Sequence, residues 1–373
     1  MNISRIKQCL PVLGASLMAL TLSAGAEEPA GAIYTMDNAA GANHVLAWTR
    51  AENGALTWAD AHATGGAGNG SGLSSQGSVI LSRDGRWLFV CNAGSDDVSV
   101  FAVSPNGLRL VDRASSGGRL PLSLALHHNL LYVLNAGGTV GDKDSISALL
   151  FADGKLTSLP HSTRELSGDN TGSAQVSFVR NGEVLVVTER TTSLIDTFTL
   201  NEDGLADAHK VFPSAGATPF GFAVGRQGRI FVSEAQGAAA NASSASSYSV
   251  SAAGELTVLS AAVPTEQTSA CWLVTTGDGH LAYTANAASG SISGYSVAPN
   301  GTLHLLDPSG VTAVTGAGSH PVDMITSIDG EFLFAVANGN GTLAAFGVNP
   351  NGSLTPLPGV SGIPTSAAGL AGR

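Results

Sequence analysis

Apolar positions along the chain come in short runs. Val, Leu, Phe and Tyr gather in brief stretches, many alternating with small polar residues, and each stretch stops at Asp-Gly, Asn-Gly or a Ser-rich segment. A period of two marks a strand with a buried face, and Asp-Gly or Asn-Gly supplies the positive φ of a tight hairpin. No window sustains the 3.6-residue period of an amphipathic helix, so the pattern predicts an all-β chain.

The runs repeat. Ser82-Arg-Asp-Gly-Arg-Trp-Leu-Phe-Val-Cys-Asn92 is followed by Val98–Val103, Pro105-Asn-Gly107 and Leu108–Val111. The same order returns from Thr275 through Gly301 and from Ser327 through Gly352, with weaker copies around Asn181-Gly182 and Gln227-Gly228. One Gly marks every copy, at 54, 107, 154, 204, 254, 301 and 352, with spacings of 47 to 53 residues. Four short strands at this period predict a β-propeller blade, and seven copies predict seven blades.

First strands of blades follow a Pro, at Pro121, Pro219 and Pro321. The chain's start lacks such a strand, because Ala32–Asn38 matches a second strand, whereas its end offers Pro364 and then Ala367–Gly372. The C-terminal segment is therefore expected to close the ring as the innermost strand of the first blade, which removes exposed sheet edges.

Strand parity puts the Asp-Gly and Asn-Gly turns at one end of the ring. The longer connections, such as Ser167–Gln175, Pro213–Pro219 and Ala235–Ser246, then share the other end, where a rigid scaffold presents function. At that mouth the second strands end in Asn38, Asn92, Asn135, Glu189, Glu234 and Asn286, with Ala337-Asn338 in the seventh copy. Asn at these ends reads first as turn chemistry, and Asn92, Asn135 and Asn286 are also candidate substrate contacts. Glu has no such local use. Glu234 has no cation beside it in sequence and is a candidate general base, if burial lifts its pKa. Glu189 precedes Arg190, an expected ion pair and a second catalytic candidate. His320 and Arg119, beside mouth-face connections, are candidate binding residues, with Lys143 as a further cation.

Composition narrows the function classes. Only 12% of the 373 residues are charged, the net charge is −11, and 43% are hydrophobic, which excludes disorder. An acidic chain without a basic stripe is not expected to bind nucleic acid. No Lys or Arg stands between Arg229 and Arg373, so a cation for an oxyanion or carboxylate must come from the earlier blades. Residues 1–26 carry Arg5 and Lys7, an apolar run from Cys9 to Leu22 and Ala24-Gly25-Ala26, the parts of a secretory signal peptide. Cleavage there would leave residues 27–373 as one periplasmic or secreted propeller with no membrane attachment. Only Cys91 and Cys271 would remain, too few for a disulfide framework. No metal site, phosphate loop or dinucleotide fingerprint is readable, so neither metal nor cofactor is expected.

The unit S-x-D-G-x-x-L-F-V-x-N, V-S-V-F-x-V-x-x-N-G and G-x-x-P resembles the seven-bladed lactonase-type propellers, which include 6-phosphogluconolactonases and carboxymuconate cycloisomerases. The resemblance runs from Ala32 to Arg373. It implies a cofactor-free site of a His, an Arg and a Glu at the mouth of blades four and five. Glu234, closing Ile-Phe-Val-Ser-Glu, matches the family Glu; the family Arg falls on Thr218 and the His near Ala174-Gln175. The expectation is an exported lactone hydrolase or cycloisomerase with Glu234 as base and Arg190 as cation, acting on a small, sugar-derived ligand. The other expectation is a non-catalytic propeller whose mouth binds a small molecule, a glycan or a protein partner.

Overall fold

A computed structural model describes residues 29–137 and 142–373. The signal-peptide expectation for residues 1–26 lies outside the described residues. The strands form seven antiparallel sheets, each a blade running outward from a common axis. Blade 5 shows the plan: inner strand Pro219–Val224, then Arg229–Glu234, Ser244–Val250 and outer Leu256–Pro264. In blades 3 and 6 the outer strand is split in two, both pieces pairing with the same third strand.

The ring closes as the C-terminal strand implied. Ala368–Gly372 pairs with Gly31–Met36 and becomes the innermost strand of blade 1, and Thr35 Oγ1 donates to the Gly369 carbonyl at 2.5 Å. First and last strands of the chain thus complete one sheet.

Local chemistry explains the repeat. In three copies a hydroxyl three residues before the Gly donates to the Asp: Ser82 to Asp84 at 2.6 Å, Thr276 to Asp278 at 2.6 Å, and Ser327 to Asp329. The Ser82 bond, with help from Arg86, lowers the Asp84 carboxyl to about 2. The Gly that marks each repeat meets the preceding blade. A Cβ on Gly352 would lie 2.5 Å from Leu306, on Gly54 2.5 Å from Phe332 and on Gly204 3.0 Å from Leu130. Each also holds positive φ, so a side chain there is both strained and blocked.

Register aligns the second strands more firmly than sequence does. Asn92 opposes Asp97, Asn135 opposes Ser145, Glu234 opposes Ser244 and Asn286 opposes Ser291. In blade 1 the residue facing His44 is Asp37, not Asn38, which has turned to φ 50°. Three positions earlier stand Tyr34, Phe89, Tyr132, Val186, Phe231, Tyr283 and Phe334, all buried. Six aromatics at one position, each contributing roughly 1.5–3 kcal/mol on burial, pack the seams between blades.

Truncation after Pro364 removes the closing strand and leaves blade 7 intact. The expected result is a fall in Tm of about 10 °C or more, with self-association in size-exclusion chromatography as the inner edge of blade 1 is bared. A melt unchanged from the full chain would contradict closure.

Candidate active site

The axis of the ring is blocked near the mouth by Ser75-Gln76-Gly77, the segment entering blade 2. Gln76 N donates to the Ala174 carbonyl of blade 4 at 3.1 Å. Its side chain pairs with Leu273 of blade 6, Nε2 donating to the carbonyl at 2.9 Å and Oε1 accepting from the amide at 3.1 Å. Ser75 Oγ donates to Leu122 of blade 3, and Trp272 Nε1 donates to the Ser75 carbonyl. In blade 5 a Cβ on Gly221 would sit 2.0 Å from Gln76 Oε1, so glycine makes room for the plug. Beyond it a cavity of about 400 Å³ runs along the inner strands. Fully buried Asp323 lines it, accepting from the Met324 amide at 2.8 Å, and burial pushes its carboxyl up to about 8.

Half-buried Arg190 lies at the mouth. Its Nε donates to the Gly172 carbonyl of blade 4 at 2.8 Å, and its guanidinium stacks 4.9 Å from the centre of the Phe220 ring in blade 5. Phe220 in turn packs on Trp272 at 5.0 Å. Burial lowers the Arg190 pKa, opposed by the nearby carboxylate of Asp144. The terminal nitrogens of Arg190 make no hydrogen bond among the described residues. A cation over an aromatic ring, with two donor groups unspent, suits a carboxylate or a polarised carbonyl oxygen.

Glu234 is wholly buried beneath the connection from blade 4. Oε1 accepts from Gly216 N at 2.8 Å and Ser246 Oγ at 2.5 Å, with a longer bond from Ser214, while Oε2 accepts from Ser244 Oγ at 2.5 Å. Burial raises its pKa, and these donors pull it back. A Cβ on Gly216 would lie 2.1 Å from Glu234 Oε2, so the roof over the carboxylate must be glycine.

Glu189 and Arg190 do not form the expected ion pair. Arg190 opens the turn that follows the strand and donates to the Gly172 carbonyl, whereas Glu189 ends the strand and turns inward to accept from Ser167 N and Oγ and from Thr192 Oγ1. Its remaining neighbour is Asp196, whose two oxygens meet no donor among the described residues when ionised. Burial first, then the Glu189 carboxylate, raise Asp196 to about 9, so Asp196 holds a proton directed at Glu189.

The three candidate asparagines are buried staples rather than turn formers. Asn92, Asn135 and Asn286 donate through Nδ2 to Ser99, Ser147 and Ser293 at 2.7, 3.0 and 2.8 Å. None has positive φ. In blade 5 the same pair is Glu234–Ser246, and in blade 4 it is Glu189–Asp196. Arg119 is exposed and paired with Asp142 at 3.2 Å, Lys143 pairs with Glu165 at 2.5 Å, and His320 is exposed at φ 45°. The structure brings none of these three against Arg190. It does bring Asp144, which accepts from Thr171 N and Oγ1 at 3.1 and 2.6 Å and keeps Oδ1 unpartnered. Its only sequence signal was its place beside Lys143 at the end of a mouth-face connection. Among the described residues no three His, Cys, Asp or Glu side chains gather into a metal-holding group.

The sequence profile described as lactonase, 7-bladed beta-propeller, matches residues 33–159 and 225–368. The stretch between them holds blade 4 and the inner strand of blade 5. Among solved structures, a protein from Lactobacillus plantarum is 15% identical with a TM-score of 0.73, covering 92% of this chain and 99% of its own. The periplasmic gluconolactonase of Pseudomonas aeruginosa is 15% identical with a TM-score of 0.71, covering 91% and 99%. A candidate 6-phosphogluconolactonase from Bacteroides fragilis is 16% identical with a TM-score of 0.67, covering 93% and 98%. At these identities the likeness is one of fold. No curated protein sequence matches the chain.

The carboxyl pair in blade 4 predicts a pH signature. The unfolded chain releases the Asp196 proton above about pH 4, whereas the folded chain keeps it to about 9. Its contribution to stability is therefore full below pH 4 and lost progressively as pH rises toward 9. Asp196→Asn, which is always neutral, should lose less Tm than the parent between pH 5 and 8.5. Parallel Tm profiles would contradict the shared proton.

Proposed function

Because the chain belongs to the seven-bladed β-propeller lactonase family, we propose that it opens a small lactone at the mouth above Gln76. The observation that carries this is Arg190: a half-buried guanidinium stacked on Phe220 with its terminal nitrogens unspent. Its partners Gly172 and Phe220 each stand two residues from Ala174 and Thr218, the positions where the family's His and Arg are not carried over. In this reading Arg190 holds the acyl oxygen and stabilises the oxyanion. Glu234 takes a proton from water as the oxygen bonds to the acyl carbon. The ring C–O bond then breaks, and the proton returns to the leaving oxygen. The product is a hydroxy acid whose carboxylate pairs with Arg190. Desolvation makes Glu234 a stronger base than a solvated carboxylate, and reaction requires the Ser214–Gly216 roof to lift. The residues 1–26 pattern and the periplasmic relative support a site of action outside the cytoplasm.

A second reading, binding without catalysis, is favoured by the complete burial of Glu234 and its four donors. Acid release from a panel of aldonolactones and other small lactones separates the two. The hydrolytic reading expects Arg190→Ala to lower kcat/KM by about 10²–10³-fold and Glu234→Gln to lower kcat by about 10²-fold or more, both proteins remaining folded. Equal rates for all three proteins, or none above buffer, would overturn it. Lactone or acid binding lost in Arg190→Ala without turnover would establish the second reading.

A further inference from the structure

We propose that the seam between blades 1 and 2 is a second ligand site, which takes a small hydroxylated carboxylate. The repeat supplies the comparison. Of the seven equivalent seam positions three are tyrosines, and two close their seam by the same bond. Tyr132 donates to the carbonyl of Gly204 in the next blade at 2.9 Å, and Tyr283 donates to that of Gly352 at 3.0 Å. The equivalent acceptor for Tyr34 is Gly107. That bond is not made, and Tyr34 OH has no hydrogen-bond partner among the described residues.

The reason lies in the blade 2 turn. Blades 1, 4, 5, 6 and 7 reach across their seams with longer turns, such as Asn349–Ser353, closed by the bond from Asn349 N to Ser353 O. In blade 2 the turn is reduced to Pro105-Asn106 between the paired Ser104 and Gly107. Ser104 Oγ donates to the Gly107 carbonyl at 3.1 Å, which occupies the acceptor locally. Gly107 also stands back from its neighbour. A Cβ there would come no closer than 3.7 Å, to His62, whereas all six others would meet a side chain at 2.5 to 3.0 Å.

The space so opened is a cleft of about 410 Å³, within the range of small-molecule sites. Its polar lining includes Tyr34, Thr49, Asp60, His62, Asn106 and Arg373. Arg373 is anchored through its main chain, its carbonyl accepting from Ala32 N at 3.2 Å and Arg50 Nε at 3.4 Å. Its guanidinium makes no hydrogen bond or ion pair among the described residues, yet lies close enough for its charge to act on the Tyr34 phenol. A guanidinium and a phenol OH on one wall suit a carboxylate. Asp60 and Asn106 supply the acceptors and donors that hydroxyls need. The chemistry is that of an aldonic acid, and the cleft lies at the turn end of the ring, away from Arg190.

Isothermal titration of the full mature chain with gluconate tests the assignment. Arg190→Ala removes any contribution from the mouth and should leave saturable binding in place. Arg373→Gln should weaken it about tenfold or more and Tyr34→Phe about fivefold, with Tm unchanged in both. Glucose, which has the hydroxyls without the carboxylate, should bind at least tenfold more weakly. No saturable binding, loss of binding in Arg190→Ala with none in Arg373→Gln, or glucose bound as tightly as gluconate would each overturn the proposal. A lactonase-inactive chain that still binds gluconate through Tyr34 and Arg373 would leave it standing.

Discussion

Ring closure is the constraint from which the rest of the molecule follows. A four-stranded blade covers neither of its faces alone, so each must be sealed by a neighbour, and the seventh must find the first. Pairing of Ala368–Gly372 with Gly31–Met36 accomplishes this. Once the ring is shut, seven inner strands converge on one axis, and whatever enters that axis touches many blades together. Gln76 does so, satisfying main-chain groups of blades 4 and 6 while Gly221 of blade 5 makes way. The floor of the mouth and the blocked axis are thus consequences of closure.

The same repeat position is put to three uses around the ring. In blades 2, 3 and 6 it is an Asn–Ser staple, with the Asn amide donating to the Ser hydroxyl. In blade 5 the amide becomes a carboxylate, and Ser244, Ser246 and Gly216 rearrange their donors around it. In blade 4 both partners are acids, and a retained proton on Asp196 takes the place of the missing donor. A buried carboxylate without a donor is costly, so each Glu has reshaped its surroundings. Glu189 adjoins Arg190 in sequence, and blade 4 lies in the stretch that the lactonase profile leaves unmatched. The chain keeps the family's seven-bladed scaffold, and its blades 4 and 5 carry Glu where blades 2, 3 and 6 carry Asn.

Much of this was legible in the sequence. Glycine spacing showed seven blades, and the unmatched Pro364 segment showed the closing strand, because both follow from local turn chemistry and strand count. Glu234 and Glu189 stood out as departures from a repeated Asn, and Arg190 as the cation after Glu189. What the repeat could not show was orientation. It suggested a Glu189–Arg190 pair, but the strand ends at Glu189, whose carboxylate is taken by Ser167 and Thr192, and Arg190 starts the turn that leads away from it. It suggested turn asparagines, but register makes Asn92, Asn135 and Asn286 cross-strand donors. Asp144 showed only as a neighbour of Lys143, and Gln76 was invisible because its partners lie on other blades, almost two hundred residues away in the case of Leu273.

The central claim is that Arg190 on Phe220 anchors the ligand at the mouth. The most direct measurement is a crystal structure of residues 27–373 soaked with an aldonate. The account predicts a carboxylate within hydrogen-bond reach of the Arg190 terminal nitrogens, resting above Gln76. A ligand bound elsewhere at the mouth, with Arg190 still facing solvent, would contradict it.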